Sequence, residues 1–355
     1  MRALTLGNKT ITDDSDAWVI AEIGNNHQGS VETAKLMILK AAECGADAVK
    51  FQKRDNRSLY TAEMYNQPYN SENAFGATYG EHREALEFGW DEYVELKAYA
   101  ESMGILFFAT AFDIPSADFL EALGVGAFKI ASGCLTDLPL LRHIARWDTP
   151  IILSTGGGTL DQVTDAVCAI YDATPVSSSG RNNVAILQCT AEYPADPADM
   201  NLRVIETYRQ TYPHVIGLSD HQSGIAMAPV AYALGARIFE KHFTLNRAWK
   251  GADHAFSLEP QGLKSMIRDL RRVRLALGDG VKHPYEAEAP GLTKMSKSIV
   301  AAYNIPAGQT LAEGDLIVQS PAGGLPPSKL DKMLGRKTRA EILAGETLTS
   351  TGVLL

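Results

Sequence analysis

Eight short apolar runs, each ending in a polar tip and separated by a helix-like stretch, constrain this chain more than any other feature. They are Trp18–Ala21, Ala46–Phe51, Ile105–Ala109, Ala127–Ala131, Ile151–Leu153, Val184–Leu187, Val215–Leu218 and Ala236–Phe239. The runs are continuously apolar rather than alternating, the pattern of parallel strands covered on both faces. Helix start and stop signals recur between them. Ser30 precedes one pattern, Asp91 opens another, Pro115 fits a first turn, and Thr159-Leu160-Asp161-Gln162 has capping-box form. Gly45, Gly104, Gly124 and Gly235 stand at helix ends just before a run, where left-handed backbone is needed. Eight such units predict a TIM (β/α)8 barrel. A doubly wound sheet is the other parallel architecture, but no GxGxxG follows the first run.

The rhythm stops after Leu277, and 355 residues exceed what one barrel of about 250 needs. We read residues 1–278 as the barrel, 279–292 as a linker rich in Gly, Pro and charge, and 293–355 as a small β-rich module with short alternating runs. The start, Ala3-Leu4-Thr5-Leu6 followed by a polar run, predicts a hairpin or cap. The connection over 54–90 is too long for a simple loop and holds Tyr60, Tyr65, Tyr69 and Tyr79, so it is a lid or a solvated excursion.

A formal net charge of −9 leaves no basic footprint for nucleic acid. No apolar run approaches a membrane span, and no basic segment followed by an apolar one marks a leader. The four cysteines form no CxxC pair, so neither a disulfide framework nor a zinc site is expected. Cys44 and Cys168 lie in helix-like apolar patterns and read as buried thiols in a reducing cytoplasm.

Parallel strands deliver their C-terminal ends to one face, and sites are built there. The first run is followed by Glu22 and then Asn26 and His27; the second brings Lys50 and Gln52; the third, Thr110 and Asp113. Lys129 and Ser132 come with the fourth, Ser154-Thr155-Gly156-Gly157 with the fifth, and Gln188, Thr190 and Tyr193 with the sixth. The last two end in Ser219-Asp220-His221 and Glu240-Lys241-His242. Two imidazoles at adjacent strand ends suit a divalent metal. Lys50 and Lys129 lie within apolar runs, where a lysine needs a partner. That partner is a salt bridge to Glu22 or Glu240, or an anionic ligand that the Ser154–Gly158 turn would help to cradle. Asp253 lies just past the eighth run and could bind substrate hydroxyls, act as a base, or simply be solvated.

These residues fall into motifs: Ala21-Glu22-Ile23-Gly24-Asn25-Asn26-His27, Val49-Lys50-Phe51-Gln52, Phe128-Lys129-Ile130-Ala131-Ser132-Gly133, Leu153-Ser154-Thr155-Gly156, Cys189-Thr190 with Tyr193-Pro194, Gly217-Leu218-Ser219-Asp220-His221, Glu240-Lys241-His242-Phe243-Thr244 and Gly251-Ala252-Asp253-His254. Together, in this order, they resemble the sialic acid synthase family, the N-acetylneuraminate, legionaminate and pseudaminate synthases. The tail resembles that family's antifreeze-like SAF domain. The resemblance implies a TIM barrel joined to that domain, a domain-swapped homodimer, and condensation of phosphoenolpyruvate (PEP) with an open-chain sugar aldehyde. It implies Mn2+, Mg2+ or Co2+ on His221 and His242. It further implies that Lys50, Lys129, Ser132 and Ser154 hold the phosphate and carboxylate of PEP, and that Glu22, Gln52, Tyr193 and Asp253 position sugar hydroxyls.

Three departures bear on the acceptor. Cys134 stands where the family usually has a glutamate near the metal, Ala191 replaces an asparagine, and Ser320-Pro321-Ala322 replaces an Arg-Pro-Gly motif whose arginine meets the substrate's N-acetyl group. We therefore expect an acceptor other than N-acetylmannosamine, one lacking that acyl group, unless Arg336 or Arg339 reaches in instead. The alternatives are a 3-deoxy-aldulosonate phosphate synthase acting on a phosphorylated sugar, a Schiff-base aldolase using Lys129 or Lys50, and a non-catalytic binding protein. The first would need an extra basic cluster on the face loops, for which Arg54-Asp55-Asn56-Arg57 is the only candidate.

Overall fold

All eight apolar runs become strands, and the strands close on themselves. The computed structural model describes residues 2–175 and 183–352, so the extreme ends of the expected 1–278 and 293–355 modules fall outside it. Two strands at the start, β1 (Ala3–Leu6) and β2 (Lys9–Thr12), pair antiparallel as the expected hairpin. The barrel follows as β3 (Trp18–Gly24), β4 (Ala48–Lys53), β5 (Leu106–Ala111), β6 (Phe128–Ile130), β7 (Ile151–Ser154), β8 (Val184–Cys189), β9 (Val215–Asp220) and β10 (Ile238–His242). Neighbours are parallel in the order β10-β3-β4-β5-β6-β7-β8-β9, a closed (β/α)8 barrel. Its strands are buried along almost their whole length, because helices cover the outside and side chains fill the inside.

The local signals explain the helices. Ser30 caps the helix Val31–Cys44 by accepting from Thr33 N, and Gly45 ends it at φ 88°. Thr159 and Gln162 close the capping box of the helix Leu160–Ala173. Asp91 is not a cap: it sits in the first turn of the helix Trp90–Ser102, behind Gly89. The buried stripe of Leu160–Ala173 is Val163, Ala166, Val167, Ala169 and Ile170. Cys168 falls on the other face and is exposed, and Cys44 is only half-buried, against the expectation of two buried thiols.

The chain divides into two compact units, Met1–Gly278 and Asp279–Leu355. The second begins inside the expected linker, which carries the helix Ala289–Met295. It holds one antiparallel pair, β11 (Ser298–Ala301) with β12 (Leu316–Gln319). Ile299, Ala301, Ile305, Leu311, Leu316, Ile342 and Leu348 form its own small core. No helix among the described residues is long and apolar enough to cross a membrane.

One expected site residue belongs to the core instead. His27 packs on Phe88 with ring centroids 4.2 Å apart and on Phe51 at 5.8 Å. Its Nδ1 accepts from Gly29 N at 3.1 Å. Burial drives its pKa down to about 3, whereas the unfolded chain titrates near 6.5. Below that value the unfolded state binds the extra proton, so folding weakens as pH falls towards 3. At pH 5 His27 alone is expected to destabilise the barrel by about 2 kcal/mol. Urea midpoints of the wild-type at pH 7.5 and 5 against those of His27→Gln check this; an equal drop in both proteins contradicts it.

Candidate active site

The period of two within a strand decides which polar residues meet. Lys50 and Gln52 of β4 point into the barrel, as do Glu240 and His242 of β10, while Phe51 and Lys241 between them point out. Lys241 faces Asp220, its register partner on β9, and the two form a buried ion pair at 2.8 Å behind the wall. Glu22 on β3 lies between Lys50 and His242 in register. Inward side chains and loops enclose a cavity of about 530 Å³ at the C-terminal mouth. It is lined by Glu22, Asn26, Lys50, Gln52, Thr110, Lys129, Ser132, Ser154, Tyr193, His221, His242 and Asp253, all of them sequence candidates.

Charge organises the floor. Lys50 Nζ is 2.9 Å from Glu22 Oε2 and donates to Thr110 Oγ1 at 2.7 Å. Lys129 Nζ donates to Ser154 Oγ at 2.6 Å. Both lysines lie 3.7 Å from the same oxygen, Glu240 Oε1, which also accepts from Ser219 Oγ. The lysines make the expected ion pairs with Glu22 and Glu240, and these pairs line the cavity. Burial raises the Glu22 pKa, with Lys50 opposing. At Glu240 burial pulls the same way, but Lys129 and Lys50 outweigh it and the carboxyl falls below its ordinary range. Burial also lowers Lys129.

Beside this floor His221 and His242 stand with ring centroids 5.4 Å apart. His221 Nδ1 donates to the Thr190 carbonyl at 2.7 Å, which leaves Nε2 free. Burial lowers the His221 pKa, but the Cys189 thiol, 3.9 Å from Nδ1, and the Thr190 carbonyl raise it further, so the ring is electron-rich. Burial holds His242 well below its ordinary range. Its Nδ1 is buried without a hydrogen-bond partner among the described residues, and Asp253 Oδ2 lies 3.7 Å away. Two such imidazoles fit a divalent cation. Among the described residues no third His, Cys, Asp or Glu completes a cage, so an ion here would keep most of its coordination sphere for water and substrate. Tyr193, 53% exposed, lays its ring on His221 at 4.2 Å.

Some candidates serve the scaffold. Asn26 touches the cavity, but its amide donates to Phe243 O at 2.9 Å and Ser257 Oγ at 3.0 Å. Cys134 is off the cavity: its thiol faces Phe112 O at 3.9 Å and burial pushes its pKa up to about 11. Cys189, rather than Cys134, is the thiol beside His221. Asp113 caps the helix Ile114–Leu123, and Gln188 is tied to Met200 O. Of the Arg54–Arg57 cluster only Arg54 lines the cavity; Arg57 stacks on Tyr65 at 3.8 Å. The 54–90 excursion carries three short helices, and its Tyr69, Phe75, His82, Arg83 and Leu86 form one wall of the cavity. Of this wall only Tyr69 is among the aromatic residues that mark the excursion in the sequence; Arg83 has no strand-tip signal and stands out only as a cation within it.

Residues 37–282 match the NeuB family and residues 296–354 match the SAF domain. The chain is a member of the NeuB family. Relatives of this NeuB chain include the N-acetylneuraminate-9-phosphate synthase of Mus musculus, 39% identical over 95% of this chain and 92% of that protein. The N,N'-diacetyllegionaminic acid synthase of Campylobacter jejuni is 36% identical over 90% and 94%. Among solved structures, the N-acetylneuraminic acid synthetase of Leptospira borgpetersenii superposes with a TM-score of 0.70 at 33% identity, over 82% of this chain and 95% of that one. Family and fold agree with the resemblance drawn from the strand-tip motifs, and this NeuB chain is a sialic-acid-type synthase.

Proposed function

We propose that the enzyme condenses PEP with an open-chain aldose to give a 2-keto-3-deoxy sugar acid and phosphate. The observation that carries this is the floor of the cavity, where Lys50 and Lys129 share one oxygen of Glu240 beside the hydroxyls of Thr110, Ser132 and Ser154. Lys129 and Ser154 hold the phosphate of PEP, with Ser132 beside them, and Lys50 faces the carboxylate. This placement suits the transition state best, because charge gathers there at C2 and on the departing phosphate. The PEP C3 carbon bonds to the aldehyde carbon, water adds its oxygen to C2, and the C2–O bond to phosphate breaks. Glu22, whose pKa burial raises against the pull of Lys50, passes a proton to the new alkoxide and regains one from the attacking water, whose other proton leaves with the phosphate. Gln52 holds Glu22 in place through Nε2 to Oε1 at 2.7 Å. His221 and His242 would hold Mn2+, Mg2+ or Co2+, which supplies Lewis-acid polarisation of the aldehyde oxygen. Tyr193 and Asp253 position hydroxyls of the sugar.

Ser320-Pro321-Ala322 offers no cation for an N-acyl group, which supports an acceptor without one. The relatives' names carry both a phosphorylated and unphosphorylated products, so those names do not choose the far end of the sugar. The homodimer that the resemblance implies and the cytoplasmic location expected from the cysteine usage belong to the same proposal. A screen of PEP consumption and phosphate release with Mn2+ against mannose-, glucose- and bacillosamine-type acceptors tests the reading. Turnover is expected with at least one acceptor that lacks the N-acetyl group. Equal or faster turnover of N-acetylmannosamine sinks the acyl-free assignment. Activity that survives EDTA, with borohydride trapping substrate on a lysine, sinks the metal-dependent one.

A further inference from the structure

Two guanidinium groups at the mouth of the cavity make no direct ion pair among the described residues. Arg54 follows β4 and is 7% exposed. Its Cζ lies 3.7 Å from the centre of the Phe112 ring, and its Nη2 donates to Gln52 Oε1 at 2.7 Å. Its Nη1 is buried and has no hydrogen-bond partner among the described residues. Arg83 reaches the same cavity from the excursion, with Nε and Nη2 donating to the Tyr79 hydroxyl at 3.1 and 2.9 Å. The ion pairs around the cavity are Lys50 with Glu22 and Glu240, Lys129 with Glu240, and Lys53 with Glu87, while the neutral His242 lies 3.7 Å from Asp253. Neither arginine takes part in an ion pair among the described residues. The lysines of the floor touch carboxylates, whereas the arginines of the mouth meet the charges of Glu87 and Asp253 only at longer range.

A buried cation without a partner is disfavoured unless a ligand brings the missing charge. Arg54 is also held ready for one. Stacking on Phe112 fixes its plane, Gln52 occupies one arm, and the other arm is left with two N–H donors. A guanidinium so fixed suits the paired oxygens of an oxyanion better than a lysine would. Position sets which end of the acceptor it meets. The aldehyde belongs beside His221 and His242, with Asp253 3.7 Å from His242, and Arg54 and Arg83 line the same cavity among the residues of the excursion and its start. We propose that Arg54 and Arg83 form a subsite for an anionic oxyacid group, a phosphate monoester or a carboxylate, carried by the acceptor at the end remote from its aldehyde. The assignment rests on the condensation reading for the word acceptor, though not for the subsite itself. It has a second consequence. Because Arg54 occupies Gln52 Oε1, the amide must present Nε2 to Glu22, so the subsite also sets the orientation of the residue that holds the proposed acid.

Compounds that cannot condense separate the two ideas. Calorimetric titration of the full chain with Mn2+ and PEP would use a neutral hexitol, its terminal phosphate monoester and the matching aldonate. At least one anionic form is expected to bind about tenfold or more tightly than the hexitol. Arg54→Gln and Arg83→Gln should each reduce that preference about tenfold, and Arg54→Lys should restore part of it. Preference for the phosphate identifies a phosphorylated sugar, and preference for the aldonate a sugar acid. PEP consumption with the corresponding aldoses should show the same preference in kcat/KM. Equal binding of charged and neutral forms overturns the subsite, as does a loss in the variants that is the same for both. Arginine-dependent anion binding without PEP consumption by any aldose would overturn the condensation reading and leave the subsite standing.

Discussion

His221→Ala is expected to lower kcat by about a thousandfold or more while leaving the far-ultraviolet spectrum of the barrel unchanged. The size follows from what the ring does. It brings an electron-rich Nε2 to the cavity, with the Thr190 carbonyl and the Cys189 thiol behind it, and it carries the ring of Tyr193 on its face. Alanine removes one of the two imidazoles that stand together beside the floor and takes away the nearest ring under Tyr193. Activity alone would not separate a metal ligand from a packing residue, so a second readout is needed. Mn2+ should raise the Tm of the wild-type, because an ion that binds only the folded chain stabilises it by RT ln(1 + c/Kd) at free-ion concentration c. That rise should vanish in His221→Ala and in His242→Ala. It should persist in His143→Ala, whose imidazole pairs with Asp118 away from the cavity. A full Mn2+-dependent Tm rise in either cavity variant would remove the metal assignment.

The barrel was legible because its strands are buried on both faces, so each is an unbroken apolar run with a glycine or a cap on either side. The floor of the site was legible for a related reason: a lysine or glutamate inside such a run must meet a partner. What the sequence could not supply is direction. The register of β3 against β4 shifts between Glu22 and Gly24, so counting alternate residues past Glu22 no longer says which way a side chain faces. Asn26 and His27 lie beyond that shift and turn into the scaffold. Cys134 ends a one-turn 3-10 helix, Ser132–Cys134; Ser132 looks into the cavity and Cys134 away from it. Glu240 was visible only as a possible salt-bridge partner, because nothing in an apolar run says that one carboxylate will serve two lysines. Arg83 lies far from any strand tip, in a helix of the excursion, and only the folding of residues 54–90 over the mouth brings it there.

Lys129→Met should do two separable things. It should weaken catalysis, with kcat/KM for PEP falling about a thousandfold, because the ammonium that meets the phosphate is gone and a charge-assisted contact in a dry site is worth several kcal/mol in the transition state. It should also destabilise the fold, because Glu240 is left as a buried carboxylate short of a partner. Breaking a buried pair in this way costs about 3–5 kcal/mol. Here the lower end is expected, since Lys50 stands at the same 3.7 Å from the same oxygen and keeps part of the compensation. The double variant Lys129→Met/Glu240→Gln removes the stranded charge, so it should recover most of the stability and none of the catalysis. Lys241→Met supplies the contrast. Its buried pair with Asp220 faces away from the cavity, so it should lose comparable stability while KM for PEP stays near the wild-type value. If Lys129→Met and Lys241→Met change PEP kinetics alike, the effect at Lys129 is structural and the phosphate assignment fails. If the double variant regains turnover together with stability, the ammonium was needed only to balance Glu240.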